Sequence, residues 1–351
     1  MGATMAITLK KLRYTHAENL HLPADPTEWL LSLHGPTVID MQGHITNRTR
    51  VVSVLVHGNE PSGFIAVHRF LQSKITPMTN VRFVICSVEA AQQQPVFTNR
   101  YVDDVHDLNR CFNLNKEDAS VTQRAGSILQ AINEVKAEAV IDMHNTSGTS
   151  PSFCVATRID MQVQALASFF CQTMMYTRLS LGSLMEQNFN CPIVTVECGG
   201  ARDQQAHEMA YQGVHEFLMA DNLFAGHHYM LVDIVEHPLR LELDPKTKMV
   251  FADKNDPDAD VTLVSDIEQH NMGITRADCL IGWSNIGCAP FTVRNEAGEV
   301  QSDSIIYCQD GQILTRHKLR IFMATTNHRI ALNDCLFYAF CEDLQAGASG
   351  T

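Results

Sequence analysis

Five short stretches of this chain carry side chains that could act together. In His57-Gly58-Asn59-Glu60 an imidazole and a carboxylate stand three residues apart. In Asp142-Met143-His144-Asn145-Thr146-Ser147-Gly148 the first acid and the histidine are two apart, so an extended backbone would project both from one face. Glu197-Cys198-Gly199-Gly200 places a carboxylate just before a glycine pair that would let backbone pass close to a ligand. Asn99-Arg100-Tyr101 and Asp107-Leu108-Asn109-Arg110-Cys111-Phe112 offer planar donors suited to a carboxylate or an oxyanion.

Two imidazoles, His57 and His144, with one carboxylate, Glu60, make the open donor set of a catalytic zinc site, which leaves a position for water. Nitrogen and oxygen donors without thiolate suit a borderline cation that polarises carbonyls. Asp142 could then orient His144, fixing its tautomer and ring direction. A carboxylate at Glu197, on the end of a buried strand, is costly unless something compensates it. A general base beside a metal-activated water would justify it. Each stretch alone also has a bland explanation. His57 could be a loop histidine on backbone, His144 a satisfied core histidine, Glu197 the partner of a structural arginine, and 99–112 a solvated loop. Cys111 and Cys198 flank these stretches, but no histidine pairs with either, so both read as small apolar fillers.

The elements that must position these groups are legible in the hydrophobic pattern. Val51–Val56 is a nearly unbroken β-branched run, as expected of a strand covered on both faces, and it ends at His57. Similar runs lie at 83–86, 139–143, 153–156 and 193–196. Helical stretches fall between them at about 61–74, 120–136, 160–175 and 203–224. Asp25-Pro26-Thr27-Glu28 reads as a helix start, with Asp25 as N-cap and Pro26 at the first position. Strands alternating with helices imply an α/β fold: a mixed, mostly parallel sheet flanked by helices. Ligands of such sheets bind beyond the carboxyl ends of the strands, where His57, His144 and Glu197 fall. Residues 1–50 read as a lead-in packed on a catalytic domain of 51–228. Beyond about 229, short apolar runs (229–235, 239–243, 249–252, 305–308, 318–324) separated by Asp, Asn, Pro and Gly predict a smaller β-rich C-terminal domain, 229–351. Asp253–Asp260 is acid-rich but lacks the register of a calcium loop.

Composition bounds the rest. The chain has 351 residues, 45% hydrophobic and 19% charged, enough for a sizeable core. A net charge of −13 argues against nucleic acid or an anionic membrane as partner, while local arginines could still hold a small carboxylate-bearing substrate. The 11 cysteines are an odd number without a CxxC pair, which disfavours a disulfide framework and fits a cytoplasmic protein. No signal peptide or membrane span is expected, and a homo-oligomer is compatible with the sequence.

Taken together, His57-Gly58-Asn59-Glu60, Asp107-Leu108-Asn109-Arg110, Asp142-Met143-His144-Asn145-Thr146-Ser147 and Glu197-Cys198-Gly199 resemble, in order and spacing, the succinylglutamate desuccinylase/aspartoacylase family of zinc carboxypeptidase-like hydrolases. The likeness runs from about Val51 to Phe224. It implies one Zn2+ per chain on His57, Glu60 and His144, with Glu197 as general base and proton shuttle. It further implies Arg100 as the group that polarises the carbonyl, and Asn109 with Arg110 as the grip on the substrate's free carboxylate. The sequence departs from aspartoacylases in having no arginine within Gln187–Cys191.

The activity so implied is zinc-dependent amide hydrolysis of a small N-acyl amino acid. A metallocarboxypeptidase that trims peptides, and a non-catalytic metal-binding protein of the same fold, are the competing expectations.

Overall fold

The computed structural model describes residues 9–102, 105–114, 119–225, 232–301 and 305–342. The chain divides into two compact units. Unit 1 comprises 1–145, 152–174 and 180–234, and unit 2 comprises 146–151, 175–179 and 235–351.

Unit 1 is built on a nine-stranded sheet. Its elements are β1 (Arg13–His16), α1 (Pro26–Ser32), β2 (Thr37–Met41), β3 (Ile45–Val54), α2 (Ser62–Ser73), β4 (Thr79–Ile85), α3 (Val88–Gln92), α4 (Ala119–Glu134), β5 (Ala139–Thr146), β6 (Phe153–Ala156), α5 (Met161–Ala167), β7 (Thr173–Tyr176), β8 (Ile193–Gly200), α6 (Gln204–Met219) and β9 (Asp233–Val235). The strand order is β1-β2-β4-β3-β5-β8-β6-β7-β9. β3 runs parallel to both β4 and β5, whereas β2 pairs antiparallel with β4 and β6 antiparallel with β8.

The β-branched runs form strands because alternate residues enter two separate cores. Val52 and Val54 of β3, Phe83 and Ile85 of β4, and Ile141 and Met143 of β5 join Phe64, Phe70, Val214 and Phe217 from α2 and α6. Val51, Val84 and Val140 point the other way, onto Val121, Ala125, Ile128 and Ile132 from α4. Asp25 caps α1 as expected, its carboxylate accepting from the Thr27 amide.

Two expectations need correction. Residues 1–50 are more than a lead-in, since β1, β2 and the start of β3 lie within them and belong to the main sheet. The helix expected over 160–175 stops at Ala167, and Thr173–Tyr176 is a strand. The Phe169 and Phe170 that prolong its apolar pattern pack into the same core from beyond the helix end. Within the run at 229–235, residues 229–231 lie outside the described residues, as do Gly2 and the small-residue tail after Gly347.

Unit 2 holds β10 (Leu239–Leu243), β11 (Met249–Phe251), β12 (Val261–Leu263), β13 (Ile274–Thr275), β14 (Leu280–Ser284), β15 (Phe291–Arg294), β16 (Ile306–Gln309), β17 (Gln312–Thr315), β18 (Leu319–Phe322), α7 (His328–Asn333) and β19 (Phe337–Cys341). They form two five-stranded sheets, β13-β18-β19-β10-β15 and β11-β12-β14-β17-β16. Cys288 and Cys308, twenty residues apart, form a disulfide that the odd cysteine count concealed. Two acids of the Asp253–Asp260 loop are taken up by backbone amides: Asp256 accepts from the Asp258 amide at 2.9 Å and Asp260 from the Lys248 amide at 2.8 Å. Among the described residues no helix is long and apolar enough to cross a membrane.

Candidate metal centre

β3 ends at Val54, and Leu55 turns the chain through a left-handed conformation, φ 54°. The strand thereby delivers His57 and Glu60 beyond its carboxyl end, and a turn closed by the Glu60 amide on the His57 carbonyl brings their side chains together. The neighbouring β5 carries His144 near its own carboxyl end. The three side chains converge within unit 1: His57 Nδ1 lies 2.9 Å from Glu60 Oε1, His144 Nδ1 lies 2.7 Å from Glu60 Oε2, and the two Nδ1 atoms are 3.2 Å apart. All three residues are buried.

The far side of each ring is also committed. His57 Nε2 meets Asp107 Oδ1 at 2.9 Å, and His144 Nε2 meets Asp142 Oδ2 at 2.8 Å. An imidazole that gives its Nε2–H to a carboxylate turns the lone pair of Nδ1 to the opposite side. Two such lone pairs and two carboxylate oxygens then face one another, an arrangement that only a cation, proton or metal, can hold closed. His57, Glu60 and His144 offer donor atoms that all lie within 4.8 Å of one another, so the group could bind a metal ion. The donor chemistry fits zinc.

The charges agree with this geometry. Burial alone would raise the Glu60 carboxyl, but the adjacent His57 and His144 more than offset it and hold it well below the usual carboxylate range. His144 moves the other way: burial disfavours its charged form, and the Asp142 and Glu60 carboxylates outweigh that and raise it. Asp107 is held far down against burial by His57, with Arg100 and Arg110 adding to the effect.

Glu197 sits near the end of β8, opposite Phe153 of β6, and is 8% exposed. Burial pushes its carboxyl up to about 7; the charge of His144 opposes this and that of Glu60 reinforces it. Its Oε2 is buried without a hydrogen-bond partner. A carboxyl poised near neutrality can both take and return a proton.

Arg100 joins the group directly, with Nη1 3.1 Å from Glu60 Oε1 and Nε 3.1 Å from Asp107 Oδ2. Asn109 and Arg110 stand one step further out. The Asn109 amide donates to Asp107 Oδ1 at 2.8 Å, its Oδ1 accepts from the Leu184 amide at 3.0 Å, and Arg110 Nη1 donates to the Asn109 carbonyl at 3.0 Å. Asp142, expected beside His144, is there. Asp107, as the partner of His57, is the residue that sequence reasoning missed. The signal was available, because a ligating histidine nearly always gives its second nitrogen to a carboxylate or carbonyl, and Asp107 opens the Asp-Leu-Asn-Arg stretch.

Fold and site together define an α/β domain with a buried three-donor group where the parallel strands end. Residues 47–219 match the model of the succinylglutamate desuccinylase/aspartoacylase catalytic domain. The chain belongs to that family, through this domain. Among solved structures it resembles a succinylglutamate desuccinylase/aspartoacylase from Rhodobacter sphaeroides, with a TM-score of 0.56 and 15% identity over 86% of this chain and 87% of that one. It also resembles a succinylglutamate desuccinylase from Vibrio cholerae, with a TM-score of 0.50 and 14% identity over 86% and 96% of the two chains. No curated protein matches the sequence significantly.

Proposed function

We propose that the protein is a zinc-dependent amidohydrolase that cleaves a small N-acyl amino acid and releases a product bearing a free carboxylate. The observation that carries this reading is the convergence of His57, Glu60 and His144 with both outer ring nitrogens held by carboxylates. Zinc bound there would supply a Lewis acid that polarises the scissile carbonyl and draws the pKa of water down toward about 7.

The chain's own groups do the rest. Glu197 accepts the proton of the attacking water and returns it to the departing amine, a role suited to a carboxyl raised to about 7. Arg100 places a guanidinium where negative charge develops on the carbonyl oxygen, and its pairing with Glu60 and Asp107 fixes it there before substrate arrives. Asn109 and Arg110 present planar donors to the substrate carboxylate. Asp142 and Asp107 keep the rings of His144 and His57 in one tautomer.

The test is a zinc measurement on purified protein joined to an amine-release screen over N-acyl amino acids and short peptides. Stoichiometric zinc with turnover of N-acyl amino acids supports the reading. Turnover of peptides alone transfers the site to a carboxypeptidase, and no turnover by zinc-replete protein removes catalysis.

A further inference from the structure

The three segments that bear the site are joined by one buried side chain that none of the chemistry above uses. Asn145 follows His144 on β5 and is 4% exposed. Its Oδ1 accepts from the Ser62 amide at 3.0 Å, and its Nδ2 donates to Ser62 Oγ at 2.7 Å and to the Gly199 carbonyl at 2.8 Å. Ser62 opens α2 two residues after Glu60, and Gly199 lies on β8 two residues after Glu197. One carboxamide thus ties the His144 strand to the segment that carries Glu60 and to the strand end that carries Glu197.

The neighbourhood is built to hold that link at one length. A Cβ on Gly63 would lie 2.7 Å from Met143 Cβ and 2.9 Å from Val54 Cγ1, so α2 begins in direct contact with β3 and β5 and cannot drift toward them. Gly199 has φ 105°, a conformation that lets its carbonyl turn to Asn145 and that favours glycine. Ser62 Oγ, which accepts from Asn145, also lies 2.8 Å from His207 Nδ1, a contact that ties the hydroxyl to the α6 side.

We infer that Asn145 is a positioning residue. By bridging Ser62 and Gly199 it sets the separation of Glu60 from His144, and of Glu197 from both. The inference rests on the metal-site reading of His57, Glu60 and His144. Side chains that hold metal ligands in place contribute about 10–100-fold in metal affinity or activity, and a base displaced from the reacting atoms loses rate rather than substrate binding.

The experiment compares wild type, Asn145→Ala and Ser62→Ala. Its readouts are zinc Kd by chelator competition, the visible spectrum of the cobalt-substituted protein, thermal unfolding, and kcat and KM at saturating zinc. Asn145→Ala is expected to weaken zinc by about 10–100-fold, change the cobalt spectrum, and lower kcat with little change in KM. Ser62→Ala removes one of the three hydrogen bonds and should fall between. Lower thermal stability with unchanged Kd, cobalt spectrum and kcat would make Asn145 a packing residue only and overturn the inference. If Asn145→Ala does not fold, Ser62→Ala decides, and wild-type zinc affinity and cobalt spectrum in it overturn the inference. A wild type that takes up no zinc overturns the metal reading and this inference with it. A wild type that takes up zinc without amide hydrolysis removes the proposed activity, and the zinc and cobalt readouts then decide the role of Asn145.

Discussion

The Nδ1 atoms of His57 and His144 lie 3.2 Å apart, with the Glu60 carboxylate bridging them and each opposite ring nitrogen on its own aspartate. Four electron-rich atoms so close together hold the fold back unless a cation sits among them. Zinc should therefore stabilise the protein by about 2.7 kcal/mol at a hundredfold excess over Kd, a rise in Tm of roughly 5–10 °C for a domain of this size. Calorimetry with and without a chelator measures it. Glu60→Gln should fold and lose most of the zinc-dependent rise. A rise as large as in wild type would put the ion elsewhere.

Glu197 and Arg100 separate catalysis from metal binding. Glu197→Gln keeps the shape of the buried side chain but cannot carry a proton, so zinc content should stay at the wild-type value while turnover is lost. Arg100→Ala removes the charge proposed to face the developing oxyanion, and deletion of one such donor typically lowers kcat by about 10²–10³. Steady-state kinetics on zinc-replete variants checks both. Near-normal kcat in either variant would remove that residue's assigned role.

How far this site was legible depended on whether partners are near in sequence or only in space. His57, His144 and Glu197 announced themselves because each ends a β-branched run, and such runs fill both faces of the sheet. Asp142 was legible because it stands two residues from His144 on an extended strand. Asp107 was legible only as one acid of the Asp-Leu-Asn-Arg stretch, since fifty residues separate it from His57 and no periodicity says which ring a loop carboxylate meets. The three hydrogen bonds of Asn145 were hidden for the same reason. β1 escaped because Arg13–His16 is a short, largely exposed edge strand with no apolar alternation to betray it. The Cys288–Cys308 pair was masked by nine free cysteines, which pattern as small core residues or half-buried thiols.

Asp107 has two duties, and a single substitution should show both. Its Oδ1 receives His57 Nε2, and its Oδ2 receives Arg100 Nε. Asp107→Asn can offer one oxygen in place of two and carries no charge to hold either partner. Zinc affinity is expected to fall by about 10–100-fold, as for other carboxylates behind ligating histidines, and kcat should fall further because Arg100 loses an anchor. Equilibrium dialysis and kinetics at saturating zinc measure the two effects apart. Wild-type values for both would reduce the contacts to incidental ones.

Glu186 links pH to Asn109, the residue proposed to grip the substrate carboxylate. Its carboxylate accepts from the amides of Leu181 at 2.8 Å, Gly182 at 2.9 Å and Ser183 at 3.2 Å, and from Ser183 Oγ at 2.7 Å. Burial opposes its charge, but these donors more than offset the cost and hold the carboxyl below its usual value. The loop so pinned supplies the Leu184 amide that orients Asn109. A folded pKa below the unfolded one, about 4.3, means that the contribution to stability is fully present above that pH and is lost as pH falls through the folded value. Glu186→Gln should therefore lower Tm by a constant amount from pH 8 to about 5.5, with the gap to wild type closing toward about pH 3. At neutral pH it should raise KM by up to roughly tenfold, the equivalent of one lost hydrogen bond of about 1.4 kcal/mol, with kcat changed less. A gap that widened on acidification would reverse the sign assigned to this carboxylate, and an unchanged KM would uncouple the loop from Asn109.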